Sequence, residues 1–563
     1  MRWSLLQMKE LRKFAALTLV SAAVITGCAA QKGSGSVQKS TTSSDESNDP
    51  VTFVFYNADG VSDPWTDPVA QKITEATGVT LQTEFPSDAG RDSVDLMIAD
   101  GDYPDLIFAK NDVSSLVDAG ALLDLTDLID EYGPNIKKLY GDDLKKLRYS
   151  ESDSSIYQLC SYQADEDVLE TSGTAQLQWA VLKNSDYKIP YTLADYENEI
   201  RDYMEQNPEI GGQPTIGISI CVTDWHWFIT LANPAAYIAD GSQDNGQWLI
   251  ADDGTTTYAP GSESEREYFR WLNRMYHEGI LDPDFATQTH DDYMKKIADG
   301  RVLGLLDADW DYSDSEMKLE DRDEYDRTYA GLPVTIDDSV TCRIAYRQGL
   351  ASGWGIGITK ACKDPVRAIK FLDWMCSDEA QVLTHWGIEG VNYSVDENGK
   401  RYRTDEEIKA AESDAGYRAR TGVGFHTYPF PSYGEGATDS TGNTYQLTNR
   451  DTVISSYNEE QKAALKAWGV DMLTDIFPQE DSSEEPTHAP GGEITLSKEL
   501  KELKDTLDET ARQGLISCIL CDEADFDAQY SQLEADLAAA GAEKAGQMMT
   551  EEVQSQMKLW AEN

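Results

Sequence analysis

Between Val51 and Phe108, short apolar runs alternate with amphipathic stretches, and this alternation restricts the fold more than any other feature. Thr52-Phe53-Val54-Phe55-Tyr56 is an aromatic-rich run of the kind that strands buried on both faces show. A helical pattern over Pro68–Thr77 stops at Gly78, and Val79, Leu81, Thr83 and Phe85 then alternate as a strand. Val94–Ala99 is helical in character and ends at Gly101, and Pro104–Phe108 is a third strand candidate. Strands interleaved with helices predict an α/β fold with a mostly parallel sheet covered on both faces.

Helix starts are marked further along. Thr192-Leu-Ala-Asp195 opens a helix reaching about Gln206 with a capping-box-like pattern. Asp364-Pro365 sets an N-cap before a proline at the first helical position, and Ile369, Leu372 and Met375 follow at helical spacing. Glu265–His277 carries Phe269, Leu272 and Tyr276 and ends at Gly279. Past a polar loop at 479–492, Leu496, Leu500, Leu503 and Leu507, then Phe526, Tyr530, Leu533 and Leu537, predict a helical C-terminal region. With 563 residues, of which 40% are hydrophobic, more than one core is expected.

The N-terminus has a different character. Arg2, Lys9, Arg12 and Lys13 precede an apolar run from Phe14 to Ile25. The run falls short of the roughly 20 residues that a membrane-spanning helix needs, so it reads as an export signal, residues 1–27. Residues 29–50 are rich in Gly, Ser, Thr and charge, and behave as a tether.

Charge excludes some partners. Lys and Arg total 47 against 101 Asp and Glu, so the net charge is 47 − 101 = −54. Nucleic acid and anionic lipid are held by clustered cations, and neither suits this chain as a surface partner. No phosphate loop, nucleophile elbow or H-E-x-x-H motif is present, and the six His show no ligand spacing. Asp307-x-Asp309-x-Asp311 begins a calcium-loop spacing but lacks its glycine and holds Trp310. No metal and no cofactor is expected. Cys518-Ile-Leu-Cys521 lies among apolar residues and reads as buried helix before redox pair.

Several phrases in a fixed order carry a resemblance. Ile25-Thr26-Gly27-Cys28 resembles a lipoprotein cleavage motif, which implies acylation of Cys28. Asp95–Phe108 (DLMIADGDYPDLIF), Gly120–Leu125, Ile129–Ile136, Leu177–Lys183, Met275–Pro283, Lys363–Trp374 and Trp386–Tyr393 are similar to landmarks of extracellular solute-binding protein family 1, the carbohydrate-binding subunits of ABC importers. The resemblance implies a two-lobed, hinged periplasmic-binding-protein-like fold with a helical C-terminal region. Lobe 1 is placed at 51–162 plus 337–390, and lobe 2 at 163–336 plus 391–563. It implies a lipid-anchored monomer on the outer face of the membrane that passes an oligosaccharide to permease subunits without chemistry. A surface glycan hydrolase or lyase, or a sensor that feeds no permease, stands as the alternative. Asn207–Gln213, where some relatives carry a calcium loop, lacks a set of acidic ligands.

Sugars present C–H faces to flat rings and hydroxyls to polar groups. The indoles placed in loops after strands are therefore the expected contacts: Trp65, Trp225, Trp227, Trp310 and Trp354, with Asp63, Asp309 and Tyr346 as hydroxyl partners. Trp271, Trp374 and Trp468 lie on apolar helix faces and are expected to pack.

Overall fold

A computed structural model describes residues 49–60, 63–85, 92–162, 166–171, 173–242, 246–347, 349–412, 414, 416–480 and 496–561. The export signal, Cys28 and the tether lie outside the described residues. The strands that matter here are β1 (Val51–Asn57), β2 (Val79–Glu84), β3 (Leu106–Phe108), β4 (Leu159–Tyr162), β5 (Gly173–Gln178), β6 (Ile216–Ser219), β7 (Val302–Ala308), β8 (Tyr329–Leu332) and β9 (Ala351–Ile358). The helices are α1 (Pro68–Thr77), α2 (Asp92–Asp100), α3 (Leu193–Gln206), α4 (Arg266–His277), α5 (His290–Ala298), α6 (Asp309–Glu320), α7 (Pro365–Met375), α8 (Lys498–Leu520), α9 (Phe526–Ala540) and α10 (Ala542–Ala561).

Local chemistry fixes the helix ends. The Asp67 carboxylate accepts the Ala70 N–H, Pro68 starts α1, and Gly78 ends it at φ 69°. Thr192 caps α3 by accepting from the Asp195 N–H, and Thr289 with Asp292 forms a capping box on α5.

Two sheets organise two cores. The first has the order β2-β1-β3-β9-β4, with β1 parallel to β2 and β3, and β9 antiparallel to β3 and β4. Phe53, Phe55, Leu106 and Phe108 point to a core closed by α1 and α7, and Tyr56 and Ile107 point to the opposite one with Val94 and Leu116. The second sheet has the order β8-β5-β7-β6, with β7 parallel to β6 and antiparallel to β5. Its central strand β7 is buried at every position. Around it lie Tyr196, Phe269, Leu272 and the C-terminal helices through Leu507, Leu515, Tyr530 and Met549.

Core membership differs from the expected lobe division at one long segment. Residues 391–447, expected with the second lobe, send Tyr417, Val423 and Phe430 into the first core. Cys342 and Ala345, expected with the first, lie in the second, and Leu350 is the next residue in the first. The irregular 391–447 stretch has few periodic apolar positions, so its partner is decided by long-range packing such as the contacts of the Phe430 ring with Phe55 at 5.8 Å and Phe371 at 6.0 Å. Among the described residues no helix is long and apolar enough to cross a membrane.

Candidate functional site

The parallel strands β6 and β7 open at the same end of the second sheet, and each leads directly to an exposed indole. After β6, Asp224 adopts φ 51° and turns Trp225 outward before a helical turn begins at His226. After β7, α6 begins at Asp309 and carries Trp310 in its first turn. Trp225 is 53% exposed and Trp310 is 54% exposed, and their rings stack at 6.0 Å between centroids with 15° between planes. Behind Trp225 the His226 imidazole stacks at 4.0 Å, and His290 stacks on His226 at 3.9 Å. Asp311 faces both imidazoles, its carboxylate 3.1 Å from His290 Nε2 and 3.7 Å from His226 Nε2. Burial, then the neighbouring His290, pushes the His226 imidazole down. Asp307, fully buried beneath, accepts the Tyr293 hydroxyl at 2.7 Å, and burial together with Asp311 pushes its carboxyl well up.

This face is braced from below. The Thr223 hydroxyl donates to the Gln288 carbonyl at 2.7 Å, and Gln288 Nε2 donates to the Ile220 carbonyl at 2.7 Å. Lys296 on α5 donates to both Asp282 oxygens at 2.9 and 2.8 Å, and the Ser219 hydroxyl donates to the same carboxylate at 2.8 Å. A buried pair of this kind holds α5 in register with the end of β6, because separating it would strand a charge.

The first sheet presents a third indole. Trp354 sits on a bulge of β9 next to the C-terminal end of β3. A Cβ at Gly355 would meet the Leu159 carbonyl oxygen at 2.2 Å, so only glycine permits this approach. Trp354 Nε1 donates to Asn111 Oδ1 at 3.2 Å, and Lys110 Nζ lies 4.9 Å above the ring. Lys110 is held by an ion pair with Asp59. From the second core, Lys501 on α8 reaches this turn, pairing with Asp112 and donating to the Asn111 carbonyl at 3.2 Å.

Residues 69–410 match the family described as bacterial extracellular solute-binding protein. This chain belongs to that family. Lipoprotein LipO of Bacillus subtilis is 24% identical over 406 residues, covering 68% of this chain and 74% of that protein. The fructooligosaccharide ABC transporter substrate-binding protein FusA of Streptococcus pneumoniae is 24% identical over 416 residues, 68% and 72% of the two chains. Among solved structures, an HMO-binding, ABC-transporter-associated solute-binding protein from Bifidobacterium longum infantis superposes with a TM-score of 0.65 at 15% identity, over 92% of this chain and 100% of that one. At that identity the likeness shows the fold, which is the two-lobed one that the two sheets and two cores describe.

Within this solute-binding protein the expected contacts separate into surface and core. Trp225 and Trp310 keep ring surface at strand ends, and Trp354 is partly buried, packing on the first core with one edge left at the end of β3. Trp65 keeps no such surface: at φ 54° its ring turns inward, it is 5% exposed, its Nε1 donates to the Thr74 hydroxyl at 3.0 Å, and it meets the edge of His426. Trp227 is 6% exposed in the second core, because two positions past Trp225 the new helical turn points inward. Asp63 accepts the Trp65 N–H at 2.7 Å and faces His426, so it serves the turn. Burial, its largest influence, pushes the Asp63 carboxyl up.

Asp309 accepts the Trp310 N–H at 2.7 Å and borders a cavity of about 240 Å³ that also touches Glu170, Glu316 and Tyr457. Tyr346 is half-buried in the crossing between the cores. Trp271 and Trp468 pack in the second core, donating to Glu197 and to the Tyr187 carbonyl, and Trp374 packs on the first. Asp307 and Asp311 straddle a strand end and a helix, so the Asp-x-Asp-x-Asp spacing is no calcium loop. Cys518 is buried in α8, where burial pushes its thiol up to about 12.

Lys110, Asn111, His226, His290 and Lys501 escaped the sequence reading. Lys110 and Asn111 share one turn, and His226, His290 and Lys501 come from separate elements with no shared spacing. The one available signal was the position of Lys110-Asn111 directly after a strand that opens on the same edge as β1.

Proposed function

We propose that this chain is the substrate-binding subunit of an ABC importer, fixed to the outer face of the membrane by acylated Cys28 and holding an oligosaccharide between lobe 1 (51–162 with 350–447) and lobe 2 (166–347 with 450–561). The carrying observation is the pair of exposed, near-parallel indoles at the ends of β6 and β7. Aromatic surface of that size, left in water on a folded protein, suits the C–H face of a sugar. Trp354 with Asn111 and Lys110 gives a second aromatic edge with a hydroxyl acceptor and a cation beside it.

The relatives support the solute class: one is named for fructooligosaccharides and a structural neighbour for HMO binding. The lipid anchor is supported by the Thr26-Gly27-Cys28 motif and by a relative named as a lipoprotein. A monomer with no chemistry of its own suffices, since solute capture needs only that the ligand bind the closed arrangement better than the open one. Delivery would be to permease subunits.

The test is calorimetric titration of the full chain with a panel of fructans, milk-type oligosaccharides, N-glycans and glucans, with chromatography of each mixture. Saturable 1:1 binding of one class with the glycan recovered intact is expected. Release of shortened or unsaturated glycan, or no binding across the panel, overturns the reading.

A further inference from the structure

Behind the exposed indoles lies a group that sugar capture does not require. His226, His290 and Asp311 come from three elements: the turn after β6, the first position of α5, and the first turn of α6. One ligand atom from each lies within 4.8 Å of the others. Around a tetrahedral ion held at about 2.0–2.1 Å, donor atoms stand about 3.3 Å apart, and the separations from Asp311 are 3.1 and 3.7 Å; the two imidazoles stack at 3.9 Å with 21° between planes, so one ring must rotate out of the stack for both lone pairs to meet one ion.

The second observation is an unsatisfied ring. His226 is 9% exposed, and its Nε2, the nitrogen that faces Asp311, lies 3.7 Å from the carboxylate, beyond hydrogen-bond length. A buried imidazole normally uses its polar nitrogens, because leaving them bare costs desolvation without return. Here the cost is borne although an oxygen stands just out of reach. The contrasting group is His426, also deeply buried. Its Nε2 is 2.8 Å from Asp67 and its Nδ1 is 3.4 Å from Asp63, so both nitrogens are engaged and the group is a closed clamp on the loop before α1.

We propose that His226, His290 and Asp311 form a binding site for a divalent transition metal, zinc being the natural occupant, with three protein ligands and an open position on the side of His290. Two imidazoles and one carboxylate are borderline donors that suit Zn²⁺, Co²⁺, Ni²⁺ or Cu²⁺, whereas Ca²⁺ and Mg²⁺ take sets of oxygens. The segments that carry the ligands are braced: the Thr223–Gln288 and Gln288–Ile220 hydrogen bonds fix the two histidine-bearing segments against each other, and Lys296–Asp282 holds α5 beneath, which leaves the ring rotations to the ion. The His290 side chain keeps 30% of its surface and the Asp311 side chain 5%, so entry is from the His290 side. The inference rests on these side chains alone and does not depend on which solute the protein carries.

The experiment uses the full chain without a polyhistidine tag, stripped with EDTA and desalted. Zn²⁺ is titrated against a chromophoric chelator, and Co²⁺ is titrated while the visible ligand-field band is recorded. One equivalent of either ion is expected to bind, with an intense Co²⁺ band typical of four- or five-coordination. His290→Ala, with its melting temperature compared with wild type because His290 stacks on His226 and pairs with Asp311, should weaken Zn²⁺ binding about a hundredfold, and His290→Cys should restore most of it. Absence of saturable one-equivalent binding overturns the proposal. So does an equal Zn²⁺ midpoint in wild type and His290→Ala, or a pale Co²⁺ spectrum of all-oxygen octahedral type.

Discussion

Replacing Trp310 by alanine isolates the proposed solute-binding surface from the fold. The ring is 54% exposed, and large aromatic side chains present about 150–250 Å², so roughly 100 Å² of indole faces water. A sugar can cover only one face of it, roughly 50 Å². At about 25 cal/mol per Å² this contributes about 1.3 kcal/mol, close to a tenfold change in Kd. Trp225 presents the same exposure, but its ring also covers His226, so its removal disturbs more than the solute contact. Because the two indoles stack at 6.0 Å, the double substitution should not be additive. Calorimetry of the full chain with the tightest glycan from the panel should show Trp310→Ala weakened about tenfold, Trp310→Phe intermediate, and both melting within a degree or two of wild type. A Kd within twofold of wild type for Trp310→Ala would mean that solute does not lie on this platform.

Other consequences follow from particular contacts. Glu199 is buried, one carboxylate oxygen has no partner, and burial raises its pKa from 4.5 to about 8. The folded state therefore holds a proton that the unfolded chain releases between those values, so stability is lost as pH rises through about 5 to 8, by up to about 1.4 kcal/mol per pH unit. Glu199→Gln should flatten that slope and raise the urea midpoint at pH 8. Asn273 Nδ2 donates to the Cys518, Ile519 and Cys521 carbonyls at 3.1, 3.0 and 2.7 Å, closing the C-terminus of α8. Asn273→Ala removes these bonds, leaving the Cys521 carbonyl to His277 Nε2 and the Cys518 carbonyl to the Cys521 thiol, and should cost about 1–2 kcal/mol in urea unfolding. Lys501→Ala removes the pairing with Asp112; the two side chains are only 14% and 17% exposed, so the carboxylate left behind should lower the melting temperature by several degrees, and amides 109–113 should exchange hydrogen faster.

The parts of the fold that sequence reveals are those written locally. Asp67, Pro68 and Gly78 delimit α1 within a single turn at each end, and the Thr192–Asp195 and Asp364–Pro365 patterns do the same for α3 and α7. Alternation from Val51 to Phe108 reads directly as β1, α1, β2, α2 and β3. The placement of β9 between β3 and β4, antiparallel to both, follows from pairing with residues far away in sequence, as Gly355 with Cys160 and Ile356 with Phe108, and nothing in its own residues states the partner. The same holds for 391–447, whose aromatic residues would suit either core.

The site divides along the same line. A strand end is a local feature, so the exposed positions of Trp225 and Trp310 are legible, whereas the burial of Trp65 at φ 54° is not. What cannot be read locally is the coupling between the two aromatic edges. Helix α8 supplies it. Lys501 holds the turn beside Trp354, and Arg512 Nη1 lies 3.5 Å from the Val222 carbonyl in the loop that leads to Trp225. At 1.5 Å per residue these two points are about 16 Å apart along one rigid element. Leu507, Ala511, Leu515 and Ile519 bury α8 in the second core, and Asn273 pins its end there, so α8 moves with Trp225 and Trp310. Any change in the separation of the two edges must therefore appear at the Lys501–Asp112 contact, the point where this helix meets the first lobe's aromatic edge, and not within α8 or at its attachment to the second core.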